Sequence, residues 1–430
     1  MPRVEPLPIP RLTTRVDRQW KVPGSKSITN RALLLAALAE GTSVLENVLT
    51  SDDTEHMRTC LGQLGIPISD GAPGQVIVQG GRSRLRPSPS PLYVGNSGTT
   101  VRFLTALATL VPGSTTLIGD AAMAKRPLAD LVDGLRSLGV AIDCATGAPP
   151  LTVHGGQLAG GRIAMRGDRS SQYFSALLLV AAHAQADLHI EVVGSLVSRP
   201  YVEMTARMVR DFGGSIDTSA SGFAAHRATA YRARSYWVEP DASSASYPFA
   251  LAAAGGHRLV VPRLDASSLQ GDYHLVDMLE RMGAVVEREA TFTAVSGPGV
   301  GRLRGIEADF GDISDTVMTV AAIAPLCTTP VMLTGIGNIR IKETDRLLAT
   351  VTELDRLGCT VSCGEDWLRI EPGTPRPATV HCYHDHRMAM SFSVLGAIHG
   401  GVTIEDPSCT AKTYPGFWDD LGSLYPAAPW

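Results

Sequence analysis

No apolar run in this chain of 430 residues approaches the length of a membrane span. The longest, such as Ala176–Ala182 (ALLLVAA), fall far short of the roughly 20 residues that a bilayer requires. The opening MPRVEPLPIPRLTTRV lacks the apolar core of a secretory signal. It is also too short and too poor in serine for a transit peptide, so a cytoplasmic protein with no membrane partner is expected. Excess charge is missing too: a formal net charge of −4 gives no basis for nucleic-acid binding. The seven cysteines are odd in number and scattered, and Cys359 and Cys363 are too isolated for a zinc site. They are expected as reduced thiols packed like small apolar side chains. With 44% hydrophobic and 19% charged residues the composition is globular, and the length suits two or more domains.

Nucleotide signatures are also lacking. The stretch GSKS (Gly24–Ser27) suggests a phosphate loop, but the Walker pattern needs a Gly-Lys pair, and Lys26 follows Ser25. GNSGTT (Gly95–Thr100) lacks the G-x-G-x-x-G spacing of dinucleotide folds. HDHR (His384–Arg387) has two histidines but no third soft ligand nearby, so neither a metal nor another cofactor is expected.

A repeat is present. Leu61–Gly65, Leu135–Gly139, Val209–Gly213, Leu279–Gly283 and Leu354–Gly358 share an apolar residue, two variable ones, an apolar residue and glycine, at intervals of 70 to 75 residues. Each reads as the end of an amphipathic helix with a left-handed glycine stop. A hairpin-like stretch follows, as in VVEREATFTAV (Val285–Val295). Six segments run from a short strand through a polar turn into an apolar helix, and a second strand then leads to a second polar turn and helix. Six such units of about 74 residues account for the chain. The sixth lacks its closing hairpin, and the strand-like RVDRQWKV near the start is unassigned, so a strand borrowed from the N-terminus would complete the last unit.

The apolar parts repeat while the polar turns diverge. Every turn lies at a helix start, where unpaired N–H groups and the helix dipole favour anions. Those turns carry Lys26, Ser27 and Arg31; Asn96, Gly98, Thr99 and Arg102; Lys125 and Arg126; Ser170, Ser171 and Gln172; Ser198, Arg199 and Tyr201; Asp312 and Asp315; Asn338, Arg340, Lys342, Glu343, Asp345 and Arg346; Asp385, His386 and Arg387; and Lys412. Lys26 and Arg31 lie where a helix dipole repels cations, with Ser25 or Ser27 as the cap. Taken singly, each feature has a plain structural explanation, as an N-cap, a solvated turn or a local ion pair. Recurring together at matching places, they describe a pocket for phosphate and carboxylate groups, with a few carboxylates suited to proton transfer.

The stretches PGSKSITNRALLLAALAEG, GNSGTTVRFL, AKRPLADLVDGLRSLG, SSQY, SRPYVEMT, DASSASY, KETDRL, DHRMAM and CTAKTYP resemble the 5-enolpyruvylshikimate-3-phosphate synthases of the enolpyruvyl transferase family, in family order from Lys21 to Pro415. The resemblance implies an α/β (α+β) protein, a two-domain inside-out α/β barrel of six βαβαββ repeats with pseudo-threefold symmetry in each domain. Domain I would be residues 1–22 plus 241–430, and domain II residues 23–240. The implied reaction joins phosphoenolpyruvate and 3-phosphoshikimate, releasing phosphate, in a monomer without cofactor. Carried over by motif, Lys26, Ser27, Arg31, Ser170, Ser171, Gln172, Ser198, Tyr201, Asp315, Asn338 and Lys342 would surround 3-phosphoshikimate. Lys26, Asn96, Gly98, Arg126, Gln172, Arg346, His386, Arg387 and Lys412 would hold phosphoenolpyruvate. Asp315 is the expected base at the 5-hydroxyl. Glu343 is the expected proton donor at C3, its pKa held up by a neighbouring carboxylate or burial, with Lys26 sharing in proton work. Two departures from the common family pattern, Ser97 and Phe103, flank Gly98 and its helix start. The sister enzymes that act on UDP-N-acetylglucosamine carry a reactive cysteine about where Ala121 stands here.

Overall fold

The computed structural model describes residues 5–227, 231–427 and 429–430. It is a mixed α/β chain of two compact units, a continuous one of Gly24–Glu239 and a split one of Met1–Pro23 with Pro240–Trp430. Among the described residues no helix is long and apolar enough to cross a membrane.

Twelve α-helices occur among the described residues. In the continuous unit they are α1 (Lys26–Leu38), α2 (Asp52–Gln63), α3 (Gly98–Ala108), α4 (Ala129–Ser137), α5 (Ser171–Val180) and α6 (Arg199–Asp211). The split unit has α7 (Ala242–Gly255), α8 (Leu275–Arg281), α9 (Val317–Ile323), α10 (Arg346–Arg356), α11 (His386–His399) and α12 (Phe417–Gly422). The odd-numbered helices are apolar on all sides and buried along nearly their whole length, as helices inside a core must be. Within each unit they pack on one another, α1 with α3 and α5, and α7 with α9 and α11. The even-numbered helices are amphipathic and bury one face. Five of them end before Gly65, Gly139, Gly213, Gly283 and Gly358, all of which have positive φ, so these are the left-handed stops that the sequence pattern predicts.

Six sheets accompany the helices. In the first, Ser235–Trp237, Gly41–Glu46, Gln75–Gly80 and Ile68–Asp70 lie in that order. Four more have the same plan, in which one parallel neighbour joins an antiparallel trio. The sixth sheet has only three strands, Leu7–Ile9, Val402–Ile404 and Ala378–Val380.

The parallel neighbours show an exchange that the sequence reading did not anticipate. The strand-like RVDRQWKV does not complete the sixth sheet. Its central residues Asp17–Gln19 pair in parallel with Arg258–Pro262, the strand after α7. The sixth sheet is closed by the earlier Leu7–Ile9, antiparallel to Val402–Ile404. Reciprocally, Ser235–Trp237, which leads into α7, pairs with Gly41–Glu46, the strand after α1. Each unit thus takes its missing strand from the chain segment that enters the other. Hydrophobic pattern alone does not select between two short strands of similar character, because pairing is set by tertiary context.

Glycine permits one recurrent close approach. A Cβ on Gly155 would lie 2.0 Å from the Ala108 carbonyl oxygen at the end of α3, and one on Gly80 would lie 1.9 Å from that of Ala36 in α1. Backbone crowds backbone here, so no side chain is free to yield. Gly155→Ala is expected to lower unfolding stability by about 1–3 kcal/mol, read as a lower urea midpoint at unchanged slope.

Candidate active site

The split unit arranges its candidates around one guanidinium. Arg346 opens α10, whose cap is Asp345, accepting from Leu348 N at 2.9 Å. The Arg346 side chain is only 2% exposed and meets three carboxylates. Its Nε donates to Asp385 Oδ2 at 2.7 Å, Nη1 to Asp315 Oδ1 at 3.0 Å and Nη2 to Glu343 Oε2 at 2.7 Å. Further cations close the ring. Arg387 Nη2 donates to Asp315 Oδ2 at 2.7 Å, Lys412 Nζ reaches Glu343 Oε1 at 3.0 Å, and Lys342 Nζ lies 3.7 Å from Asp315 Oδ1. Asp385 caps α11, accepting from Arg387 N at 2.9 Å, and His386 Nδ1 lies 3.7 Å from it. Asn338 donates to Ser314 Oγ at 3.2 Å, next to Asp315 in sequence.

This ring sets the protonation of Asp315. Burial alone would raise its pKa, but Arg387, Lys342 and Arg346 outweigh burial and hold the carboxyl well below the usual carboxylate range. Burial would lower Arg346, yet Asp385, Glu343 and Asp315 raise it, so it stays cationic. Glu343, expected beside a carboxylate or in a buried place, has a largely buried side chain, lies close enough to Asp315 for the two charges to interact, and pairs with Arg346 and Lys412.

The continuous unit places its candidates at the starts of its helices. Ser25 caps α1, accepting from Ile28 N at 3.4 Å, and Lys26 pairs with the buried Asp53 of α2 at 3.3 Å. Arg31 is tied inside the unit. It donates to Ser27 O at 2.9 Å, Thr205 Oγ1 at 2.7 Å, Ser175 Oγ at 3.2 Å and Tyr201 O at 3.1 Å, and it lies 5.1 Å from the Phe103 ring centroid. These partners are neutral, and burial pushes its pKa down to about 10. Arg31 therefore links Ser27 to Tyr201, and four hydrogen bonds of its guanidinium are committed to the protein.

Ser97 caps α3, which Gly98 opens, and Arg126 folds back over that turn, donating to Asn96 O at 3.1 Å and Asn96 Oδ1 at 3.4 Å. A Cβ at Gly98 would lie 2.6 Å from Arg126 Nη2, so only glycine leaves the guanidinium where it is. Ser170 caps α5, which Ser171 opens, and accepts from Gln172 N at 3.3 Å. The Gln172 amide bridges Thr99 Oγ1 at 3.1 Å and Arg102 Nη1 at 2.6 Å. Ser198 precedes α6 in a left-handed conformation with φ 51°.

Pairing was the part that the sequence reading missed. Asp385 was visible as a helix-start carboxylate but not as the partner of Arg346, Asp53 was not singled out as the partner of Lys26, and Arg102 was visible without its link to Gln172. Among the described residues no group of three or more His, Cys, Asp or Glu is arranged to hold a metal.

A two-unit α/β chain with cations and paired carboxylates at its helix starts defines an enzyme class that handles small polyanionic substrates and moves protons on them. The EPSP synthase (3-phosphoshikimate 1-carboxyvinyltransferase) family model matches residues 10–421. A 3-phosphoshikimate 1-carboxyvinyltransferase from Nostoc sp. is 45% identical over 419 residues, which are 96% of this chain and 98% of the relative. The enzyme of that name from Haemophilus ducreyi is 41% identical over 432 residues, covering 96% and 97%. The chloroplastic one from Petunia hybrida is 40% identical over 93% of this chain and 82% of its own. The solved EPSP synthase from Acinetobacter baumannii superposes with a TM-score of 0.81 at 26% identity, covering 98% of each chain. The chain belongs to the EPSP synthase family.

The low pKa of Asp315 carries a stability consequence. Its folded value lies below its unfolded one, so its contribution is full above the unfolded pKa and is lost as pH falls towards the folded value. Urea midpoints of the parent protein should therefore fall steeply below about pH 4, and Asp315→Asn should flatten that fall.

Proposed function

We propose that this chain carries out the reaction for which its family is named, transferring the enolpyruvyl group of phosphoenolpyruvate to the 5-hydroxyl of 3-phosphoshikimate with release of phosphate. The observation that carries this reading is the Arg346 ring, in which two candidate proton-transfer carboxylates are bridged by the cations assigned to one substrate. Arg346, Arg387 and Lys412, with Lys26, Asn96, Gly98, Arg126, Gln172 and His386, are assigned to phosphoenolpyruvate. Lys26, Ser27, Ser170, Ser171, Gln172, Ser198, Tyr201, Asp315, Asn338 and Lys342 are assigned to 3-phosphoshikimate. Arg31 belongs to that set as well, and it also bonds the backbone of Ser27 and Tyr201.

The addition forms a C–O bond between the 5-hydroxyl oxygen and C2 of the enol. The hydroxyl proton passes to Asp315, and Glu343 delivers a proton to C3. In the elimination C3 returns a proton to Glu343, the C2–O bond to phosphate breaks, Asp315 gives its proton to the departing phosphate, and Lys26 with the arginines neutralises that anion. Without substrate, Asp315 is held ionised by Arg387, Lys342 and Arg346 and is a weak base. An arriving phosphate or carboxylate competes for Arg346, Arg387 and Lys412. That competition loosens their hold on Asp315 and Glu343 and raises the proton affinity of both. The ligand thus activates the groups that act on it.

The finer fold reading belongs to the same proposal: each unit is an inside-out barrel of three βαβαββ repeats about a pseudo-threefold axis. The shared strand order of five sheets and the mutually packed trios of inner helices support it. The protein is further proposed to act in the cytoplasm as a monomer, with light scattering at the single-chain mass as the check.

Purified protein should release phosphate from phosphoenolpyruvate with 3-phosphoshikimate and not with UDP-N-acetylglucosamine; the reverse preference would overturn the reading. Asp315→Ala should lower kcat by about 10²–10⁴-fold in a folded protein. Gly98→Ala should displace Arg126 and raise KM for phosphoenolpyruvate about 10-fold or more, while affinity for 3-phosphoshikimate stays within about twofold.

A further inference from the structure

Glu353 has no place in the proposed chemistry, yet its side chain is fully buried and both of its oxygens are engaged. It lies on α10 two turns beyond Arg346, and so on the same face of the helix. Oε1 accepts from the Tyr383 hydroxyl at 2.6 Å. Oε2 accepts from the His381 backbone N–H at 3.1 Å and from Arg356 Nε at 3.0 Å. A buried carboxylate is kept in a core only where its partners offset the loss of water, and here they belong to one short segment and to a neighbour on its own helix.

That segment is unusual. It leaves the strand Ala378–Val380 and enters α11 at His386. Between them Tyr383 and His384 are consecutive non-glycine residues with φ 54°, a conformation that side chains disfavour and that persists only where the surroundings enforce it. Asp385 N donates to Cys382 O at 2.8 Å and closes the turn. The next three residues are Asp385, which holds Arg346, His386, and Arg387, which holds Asp315. Helix α10 therefore grips the segment at two points, through Arg346 on Asp385 and through Glu353 on His381 and Tyr383.

We propose that Glu353 and Tyr383 are positioning residues for phosphoenolpyruvate, enforcing the strained turn that sets where Asp385, His386 and Arg387 stand. The inference rests on the function proposed above for its kinetic consequence, though not for the anchoring itself. Burial, the hydrogen bond to Glu353 and the Glu353 charge push the Tyr383 hydroxyl up to about 12, so it remains a neutral donor at physiological pH. The turn is held by one carboxyl group that accepts from two donors of the segment.

The test uses Glu353→Gln, Glu353→Ala and Tyr383→Phe in the full chain. Tyr383 is 36% exposed and Tyr383→Phe removes only the hydroxyl, so this variant is expected to fold even if the buried substitutions do not. Amide hydrogen exchange should rise about tenfold or more across residues 381–387 and stay unchanged in α1. KM for phosphoenolpyruvate should rise about tenfold with a lower kcat, while 3-phosphoshikimate affinity stays within about twofold. Glu353→Gln, which keeps an acceptor, should be milder than Glu353→Ala. Parental exchange and kinetics in Tyr383→Phe would overturn the proposal, as would faster exchange without kinetic change or an equal loss of both substrates. An inactive parent protein would refute the proposed function instead, and the exchange measurement would still decide whether Glu353 anchors the turn.

Discussion

A single buried cation organises the charged cluster of the split unit. The Arg346 guanidinium could not stay charged where it lies without carboxylates, and Asp315, Glu343 and Asp385 supply them from three different turns. Asp315, Glu343 and Asp385 depend on it in return, since burying any one of them without a cation would be costly. Asp385 leans on Arg346 most, whereas the other two carboxylates of the cluster have further cations beside them. Two of its carboxylates also meet a second cation, Arg387 on Asp315 and Lys412 on Glu343. The charges are shared rather than paired one to one, and partners can exchange without any group being left alone in the core. A site that must bind a highly charged anion and then let go of phosphate gains from that redundancy.

The continuous unit treats charge differently. Lys26 has one carboxylate, Asp53, while Arg31 is surrounded by hydroxyls and carbonyls and carries its charge deep in the unit at the cost of a lowered pKa. Arg126 rests on the backbone of Asn96 and Gly98, held by shape as much as by charge. Of these cations, Arg31 is fixed by four bonds within the protein.

Much of the architecture was legible because it rests on local chemistry. A glycine after an amphipathic helix marks its end wherever the chain goes next, and five such glycines at near-constant spacing revealed the repeat. The helix starts were legible for the same reason, since Ser25, Ser97, Ser170, Asp345 and Asp385 are good caps in any context. What local pattern could not show was partnership between distant residues. Asp52 and Asp53 are chemically alike, but only Asp53 faces Lys26, because helix geometry turns one inward and the other to solvent. Asp385 and Arg346 lie 39 positions apart. The strands Asp17–Gln19 and Ser235–Trp237 read alike, and their exchange becomes visible only when the sheets are assembled. Motif resemblance named candidate residues, whereas the balance of charge among them needed three-dimensional structure.

The exchange of strands has a consequence for how the molecule comes into being. Leu7–Ile9 finds its partner at Val402–Ile404, and Asp17–Gln19 waits for Arg258–Pro262. At roughly 5–20 residues per second of synthesis, the first of these strands remains unpaired on the order of 20–80 s after it is made. Gly24–Glu239 is contiguous and closes its sheets as soon as Ser235–Trp237 emerges, so it is the part able to fold while the rest is still being translated. The split unit cannot complete two of its sheets until an early segment is matched with very late ones, and such long loop closures are slow. The short, proline-bearing stretch around Leu7–Ile9 (EPLPIPRL) suits that wait. Prolines at positions 6, 8 and 10 remove backbone donors and discourage pairing with other chains during the interval.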